Sequence, residues 1–233
     1  MTGACAFIPA AAFKASTYVL VTGYDLSQSS SGFDDLTTLI LAMKDGEIEG
    51  GMTYQIFTTT VGAWGPVVRS EKFQKGLGAH VYPGREVVCR GGVVHWLGWS
   101  TDTSRLTCTV ALDVRTGRTW TTELPKQCIG LDYTDTVFFS SLAVATSGDG
   151  QLAVVRSKPG HLVRVWVLGD GDGGWQLRRT MDVRKLLRHL PYDDGRVRLS
   201  AFCPRSGCVL GSVIGQEVRV DGSRGVDRDP VRP

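Results

Sequence analysis

The sequence predicts an all-β fold: antiparallel four-stranded blades stacked into an incomplete or partial β-propeller of about 3.5–4 blades. Three observations carry this expectation. The composition favours turns and strands, with 29 glycines and 6 tryptophans alongside abundant Thr and Val in 233 residues. Short apolar runs meet across glycine turns, which is the pattern of hairpins. The hairpins then recur at a nearly constant interval.

The clearest recurrence is a strand, a glycine-containing turn and a second strand opening on tryptophan. Tyr54 to Phe57 leads through Thr58 to Gly62 into Trp64. Val110 to Asp113 leads through Arg115-Thr116-Gly117 into Trp120. Val165 to Leu168 leads through Gly169 to Gly174 into Trp175. The tryptophans lie 56 and then 55 residues apart. A second kind of hairpin keeps the same phase. Val87 to Arg90 turns at Gly91-Gly92 into Val93 to Trp96. Leu142 to Ala145 turns at Ser147 to Gly150 into Leu152 to Val155. Val197 to Phe202 turns at Ser206-Gly207 into Cys208 to Val213. An earlier copy is expected as Thr38 to Met43, the turn Lys44-Asp45-Gly46 and a short Glu47-Ile48-Glu49.

Two hairpins per period make a four-stranded unit with two apolar faces. Such a unit cannot cover both faces alone, so neighbours stack and bury them. Trp64, Trp120 and Trp175 are expected to fill the space between neighbours rather than to bind anything. At this period 233 residues hold about four units. The first is irregular, and the last loses its second hairpin near Val218-Arg219-Val220. The expectation is an open or imperfectly closed array, part of a larger propeller, with exposed and aggregation-prone edges.

One helix is expected over 182–190. Asp182 caps it, Val183, Leu186, Leu187 and Leu190 line one face, and Pro191 ends it. Ser27 to Ser31 with Gly32 reads as a polar loop. The domain is expected over 17–220, with an N-terminal tail at 1–16 and a disordered, Asp-, Arg-, Gly- and Pro-rich tail at 221–233.

Composition excludes several classes. No apolar run approaches the roughly 18–20 residues of a membrane span. Met1 to Ala12 lacks the basic start of a signal peptide. A formal charge of +3 is too weak to argue for a nucleic-acid partner. The basic run Arg178, Arg179, Arg184, Lys185 and Arg188 is the one stretch that would support a weak one. The six cysteines, at 5, 89, 108, 128, 203 and 208, read as reduced thiols in a cytoplasmic or nuclear protein. Cys203 and Cys208 would face each other across a turn, without the further ligands that zinc needs.

Gly169 to Gly174 formally matches a dinucleotide loop. Asp170 and Asp172 would repel phosphate there, and a strand rather than a helix follows, so it reads as a long hairpin turn. A calcium loop beginning at Asp170 would need Glu where Met181 stands. The histidines at 80, 95, 161 and 189 show no metal or nucleophile spacing, and His95 beside Trp96 reads as structural. No catalytic, cofactor-binding or metal-binding residue is assigned, no cofactor is expected, and no single partner-binding residue is singled out.

Four stretches carry a family resemblance: Gly62 to Val67, Val88 to Leu97, Ala111 to Gly117 and Leu142 to Gly150. In order and spacing they resemble plant F-box proteins of the large grass families, in the F-box-associated, kelch-like propeller region. The resemblance covers roughly Phe13 to Val220. It implies a non-catalytic module that receives the protein substrate of an SCF-type ubiquitin ligase. It also implies a Skp-type adaptor as partner, but only if an F-box lies upstream, because Met1 to Ser16 is too short for one. The expected binding surface is formed by loops at one end of the blades: Gly98 to Arg105, Gln127 to Asp135 and Ser157 to His161. The alternatives are a kelch-like propeller with a sugar, small-molecule or enzymatic site, or weak nucleic-acid binding through 178–188.

Overall fold

The computed structural model describes residues 7–15, 17–22, 38–44, 51–70, 77–79, 87–89, 91–100, 102–103, 105–129, 142–147, 150–158, 162–169, 174–182, 198–203, 208–213 and 216–220. Within them the chain forms four separate antiparallel sheets, the blades of an incomplete propeller-like array. The first sheet orders β1 (Thr17–Val21), β2 (Leu39–Lys44), β3 (Thr53–Thr58) and β4 (Ala63–Trp64), with β5 (Val68–Arg69) on the same outer edge as β4. The second runs from β10 (Thr119–Glu123) through β9 (Arg105–Asp113) to β8 (Val93–Ser100). Its inner edge is shared by β6 (Leu77–Ala79) and β7 (Val87–Cys89), which pair with opposite halves of β8. The third orders β11 (Leu142–Thr146), β12 (Leu152–Lys158), β13 (Leu162–Leu168) and β14 (Trp175–Asp182). The fourth has three strands, β15 (Arg198–Cys203), β16 (Cys208–Val213) and β17 (Gln216–Val220). Among the described residues the last unit thus shows three strands.

Strand alternation fixes which sheets pack. In β1, Thr17, Val19 and Val21 are buried while Tyr18 and Leu20 are exposed, a two-residue period. Val19, Val21, Leu41, Met43 and Tyr54 of the first sheet join Val94, Trp96, Cys108, Val110 and Leu112 of the second in one apolar cluster. The opposite face of the second sheet supplies Leu97 and Leu106 to another cluster. There they meet Leu124, Cys128 and the third sheet's Leu142, Val144, Val154 and Trp166. The central sheets are thus apolar on both faces, as stacking requires. The inner strand β11 lies against β7 and β15. Full burial of each large aliphatic side chain contributes about 1.5–3 kcal/mol, so these two seams hold the array together.

One blade departs from the expected strand assignment. The sequence expectation pairs Thr38 to Met43 with Glu47 to Glu49, and the observed strand here is β2, Leu39–Lys44. It is the second strand: it pairs with Thr17–Val21 on one side and Thr53–Thr58 on the other. Residues 47–49 lie outside the described residues, and Thr53 occupies the register position opposite Lys44. The inner strand is Thr17–Val21, separated from its partner by the polar stretch that includes Ser27 to Ser31. That long connection breaks the spacing rule that holds in later blades.

The tryptophan repeat also needs correction. Gly62 (φ +69°) and Gly117 (φ +72°) close equivalent turns, each donating its N–H to the carbonyl of the last residue of the preceding strand, Thr58 or Asp113. These glycines are 55 residues apart, whereas Trp64 and Trp120 are 56 apart. Trp64 therefore corresponds to Thr119, and Trp120 sits one residue out of phase. A one-residue shift turns a side chain to the other face. Trp64 pairs with Phe57 on the face of the first sheet turned away from the second. Trp175 lies on the equivalent face of the third sheet, packed against the second cluster. Trp120 pairs with Ala111 on the opposite face of its sheet, 36% exposed and edge-on to the His95 ring. Of the three, Trp175 is the one packed against a cluster that lies between two sheets.

The correspondence of Trp64 and Trp175 extends to their partners. Trp175 donates its indole N–H to the carbonyl of Glu123, the last residue of the neighbouring outer strand β10. Trp64 donates to the carbonyl of Pro9 at 2.7 Å. Nearby, Ala12 N–H donates to Gln55 Oε1, and Gln55 Nε2 donates to the Gly65 carbonyl. Residues 7–12 thus lie along the first sheet where another blade's outer edge would lie.

Asp182, expected to cap a helix, is the final residue of β14, and the rest of that helix, 183–190, lies outside the described residues.

Candidate functional site

Antiparallel connectivity sets the ends of the sheets. In the second sheet, the β8–β9 tip and the chain leaving β10 share one end. In the third sheet, the start of β11, the β12–β13 tip and the end of β14 share one end. The three expected binding loops therefore occupy corresponding ends of their sheets. Their extents are narrower than the sequence suggested. Gly98 to Ser100 and Arg105 belong to strands, leaving 101–104 as the tip. Ser157 and Lys158 belong to β12. Gln127 lies in a single turn of 3-10 helix, Lys126–Cys128, whose Cys128 is fully buried. Residues 130–135 and 159–161 lie outside the described residues.

The titratable groups that can be placed are mostly structural. His95 is 5% exposed on the face of the second sheet toward the third. Burial lowers its pKa from 6.5 to about 4, so the ring is neutral. Its Nδ1 has no hydrogen-bond partner, and neither has the Trp96 indole N–H on the other face. Cys108 and Cys128 are buried and lie outside any disulfide. Burial pushes the Cys108 thiol up to about 11, and a buried thiol of that kind is a poor nucleophile. Tyr54 reaches from the first sheet to the Gly117 turn of the second. Its hydroxyl is held above its ordinary pKa, first by burial and then by Asp113. Asp113 accepts the Arg115 N–H at 2.8 Å and pairs with the Arg115 side chain at 3.6 Å, which fixes that turn.

Other motifs resolve similarly. The Gly169-to-Gly174 stretch joins β13 to β14, and Gly169 N–H donates to the Gly174 carbonyl. It is a hairpin connection, with Asp170 and Asp172 outside the described residues. Arg178 and Arg179 are exposed on β14, whereas Arg184, Lys185 and Arg188 lie outside the described residues. So do His80, His161 and His189. Cys203 and Cys208 are register partners across their hairpin. Among the described residues, no three His, Cys, Asp or Glu side chains gather as a metal site would, and no helix is long and apolar enough to cross a membrane.

One pair escaped the sequence reading. Arg156 of β12 stands directly opposite Arg164 of β13, and Arg156 is also opposite Leu142 of β11. Directly opposite residues share a face, so both guanidiniums project from the face packed on the second sheet. Burial is the main influence lowering the Arg156 pKa. The Cys128 sulfur opposes that shift and the Arg164 charge adds to it. Eight residues separate the two arginines in sequence, with no motif to mark them. Only the hairpin register makes them neighbours.

Stacked antiparallel sheets of three to five strands define a class: propeller-like all-β scaffolds that carry loops at the ends of rigid blades. Within that class, the family model for a domain of unknown function, DUF7595, matches residues 2–215, and the chain belongs to that family. No curated protein matches the chain.

Proposed function

We propose that the chain is a non-enzymatic protein-interaction module, a substrate receptor resembling the propeller region of F-box subunits of SCF-type ubiquitin ligases. The observation that carries this reading is the alignment of the expected binding loops on corresponding ends of the second and third sheets, each anchored by a rigid ladder. Loops held in that way form a composite surface whose sequence varies without disturbing the packed faces. The order of the four resembling stretches supports the F-box-associated identity. A Skp-type adaptor enters only through an F-box joined upstream.

The test is affinity capture with the chain alone and with the chain fused to an F-box donor. Each is compared with a variant carrying Gly-Ser replacements at 102–103 and 159–160. The expected result is a shared set of partner proteins lost on loop replacement, with adaptor recovery only in the fusion. No partner in either form, or partners indifferent to the loops, sinks the reading.

A further inference from the structure

Arg156 and Arg164 present a physical problem. Like charges placed directly opposite on one sheet face repel each other. The arrangement is also partly dehydrated: Arg164 Nε is buried and has no hydrogen-bond partner. Among the described residues, neither guanidinium has a carboxylate partner. The position is not a random stretch of surface. It lies two register pairs from the β12–β13 tip, beside the buried Leu142 that starts β11 and close to Cys128 of the 3-10 turn. It therefore sits at the loop end of the seam between the second and third sheets. Two guanidinium forks on adjacent strands, with a buried N–H left free, match the geometry of a planar or tetrahedral oxyanion.

We propose that Arg156 and Arg164 form an oxyanion-binding site at the loop end of this seam, one that receives a carboxylate or phosphate group presented by a bound polypeptide. The oxyanion accepts hydrogen bonds from both guanidiniums, satisfies Arg164 Nε and removes the repulsion between the strands. That the oxyanion is carried by a partner protein rests on the interaction-module reading above. That the two arginines bind an oxyanion does not.

The probe is inorganic phosphate added to the full chain, with sodium chloride of equal ionic strength as reference and thermal unfolding as readout. Phosphate also stabilises folded proteins non-specifically, so the informative quantity is the wild-type rise minus that of Arg164→Gln at the same concentration. The expected result is a saturable difference of about 3–6 °C at ten times the dissociation constant. Arg164→Lys should retain part of it. Without phosphate, Arg164→Gln and Arg156→Gln should melt no lower than wild type, because each removes a repulsion. Equal phosphate responses in wild type and both Gln variants overturn the proposal. So does a lower melting point of Arg164→Gln without phosphate, which would mean that the chain's own acid already occupies the site. Partner capture that survives Arg164→Gln while the phosphate response is lost overturns only the polypeptide source of the oxyanion.

Discussion

Gly98 of β8 offers the sharpest test of how β8 packs on β9 in the second sheet. A methyl group built at its Cα would stand 2.7 Å from Cys108 Sγ and 2.9 Å from Val110 Cγ2. Neither neighbour is a loose end: Cys108 is 2% and Val110 1% exposed, both within the first apolar cluster. Gly98→Ala must therefore move packed atoms of β9, and overpacking of this kind costs about 1–3 kcal/mol. For a chain of this size each kcal/mol lowers the melting point by about 2–4 °C, so the expected loss is about 2–12 °C. Urea and thermal unfolding followed by circular dichroism would measure it. A double-mutant cycle with Cys108→Ala isolates the cause. Removing Sγ should relieve part of the clash and give a favourable coupling of about 0.5 kcal/mol or more. A neutral Gly98→Ala, or strict additivity with Cys108→Ala, would refute this packing of β8 on β9.

Two further outcomes follow from single residues. His95 has a folded pKa of about 4, below its ordinary 6.5. Its contribution to stability is full above pH 6.5 and is lost as pH falls toward 4, by up to about 3 kcal/mol. Replacing it with Gln should flatten the stability profile in that window, and an unchanged slope from pH 6.5 to 4 would contradict its buried, neutral state. Gly117→Ala should cost more than Gly62→Ala, although both have positive φ, because only at Gly117 would the methyl meet the Tyr54 hydroxyl. Unfolding titrations of the two variants, with Tyr54→Phe as partial rescue of Gly117→Ala, would decide it, and equal costs would remove Tyr54 from that turn.

Much of the array was legible because hairpins are local. Register pairs such as Ala111 with Trp120 and Leu168 with Trp175 follow from a turn and two flanking strands. The β1–β2 pairing was not legible, since a long polar connection hides it and Thr17–Val21 carries no turn signal beside it. The two-part inner edge made by β6 and β7 was missed for a related reason: each is only three residues long. The arginine pair was invisible because its meaning depends on register and on what packs above it. Ring chemistry gave less trouble, since His95 beside Trp96 in an apolar strand already pointed to burial.

The tryptophan repeat shows what the period measures. Counting from Trp to Trp suggested three equivalent residues. Counting from turn glycine to turn residue separates Trp120 from the other two by one position, and one position is one face of a sheet. What Trp64 and Trp175 share is an indole N–H given to a carbonyl on a neighbouring edge, 55 residues away for Pro9 and 52 for Glu123. What recurs is thus this contact, an indole N–H given to a neighbouring edge, rather than the position of every tryptophan. By that measure residues 7–12 act as a blade edge toward the first sheet, although they form no strand. Their contacts reach Gln55 and Trp64 but leave Tyr18 and Leu20, nearer the inner edge, 54% and 58% exposed. The outer half of that apolar face is covered and the inner half is open, which is how an incomplete propeller differs from a closed one.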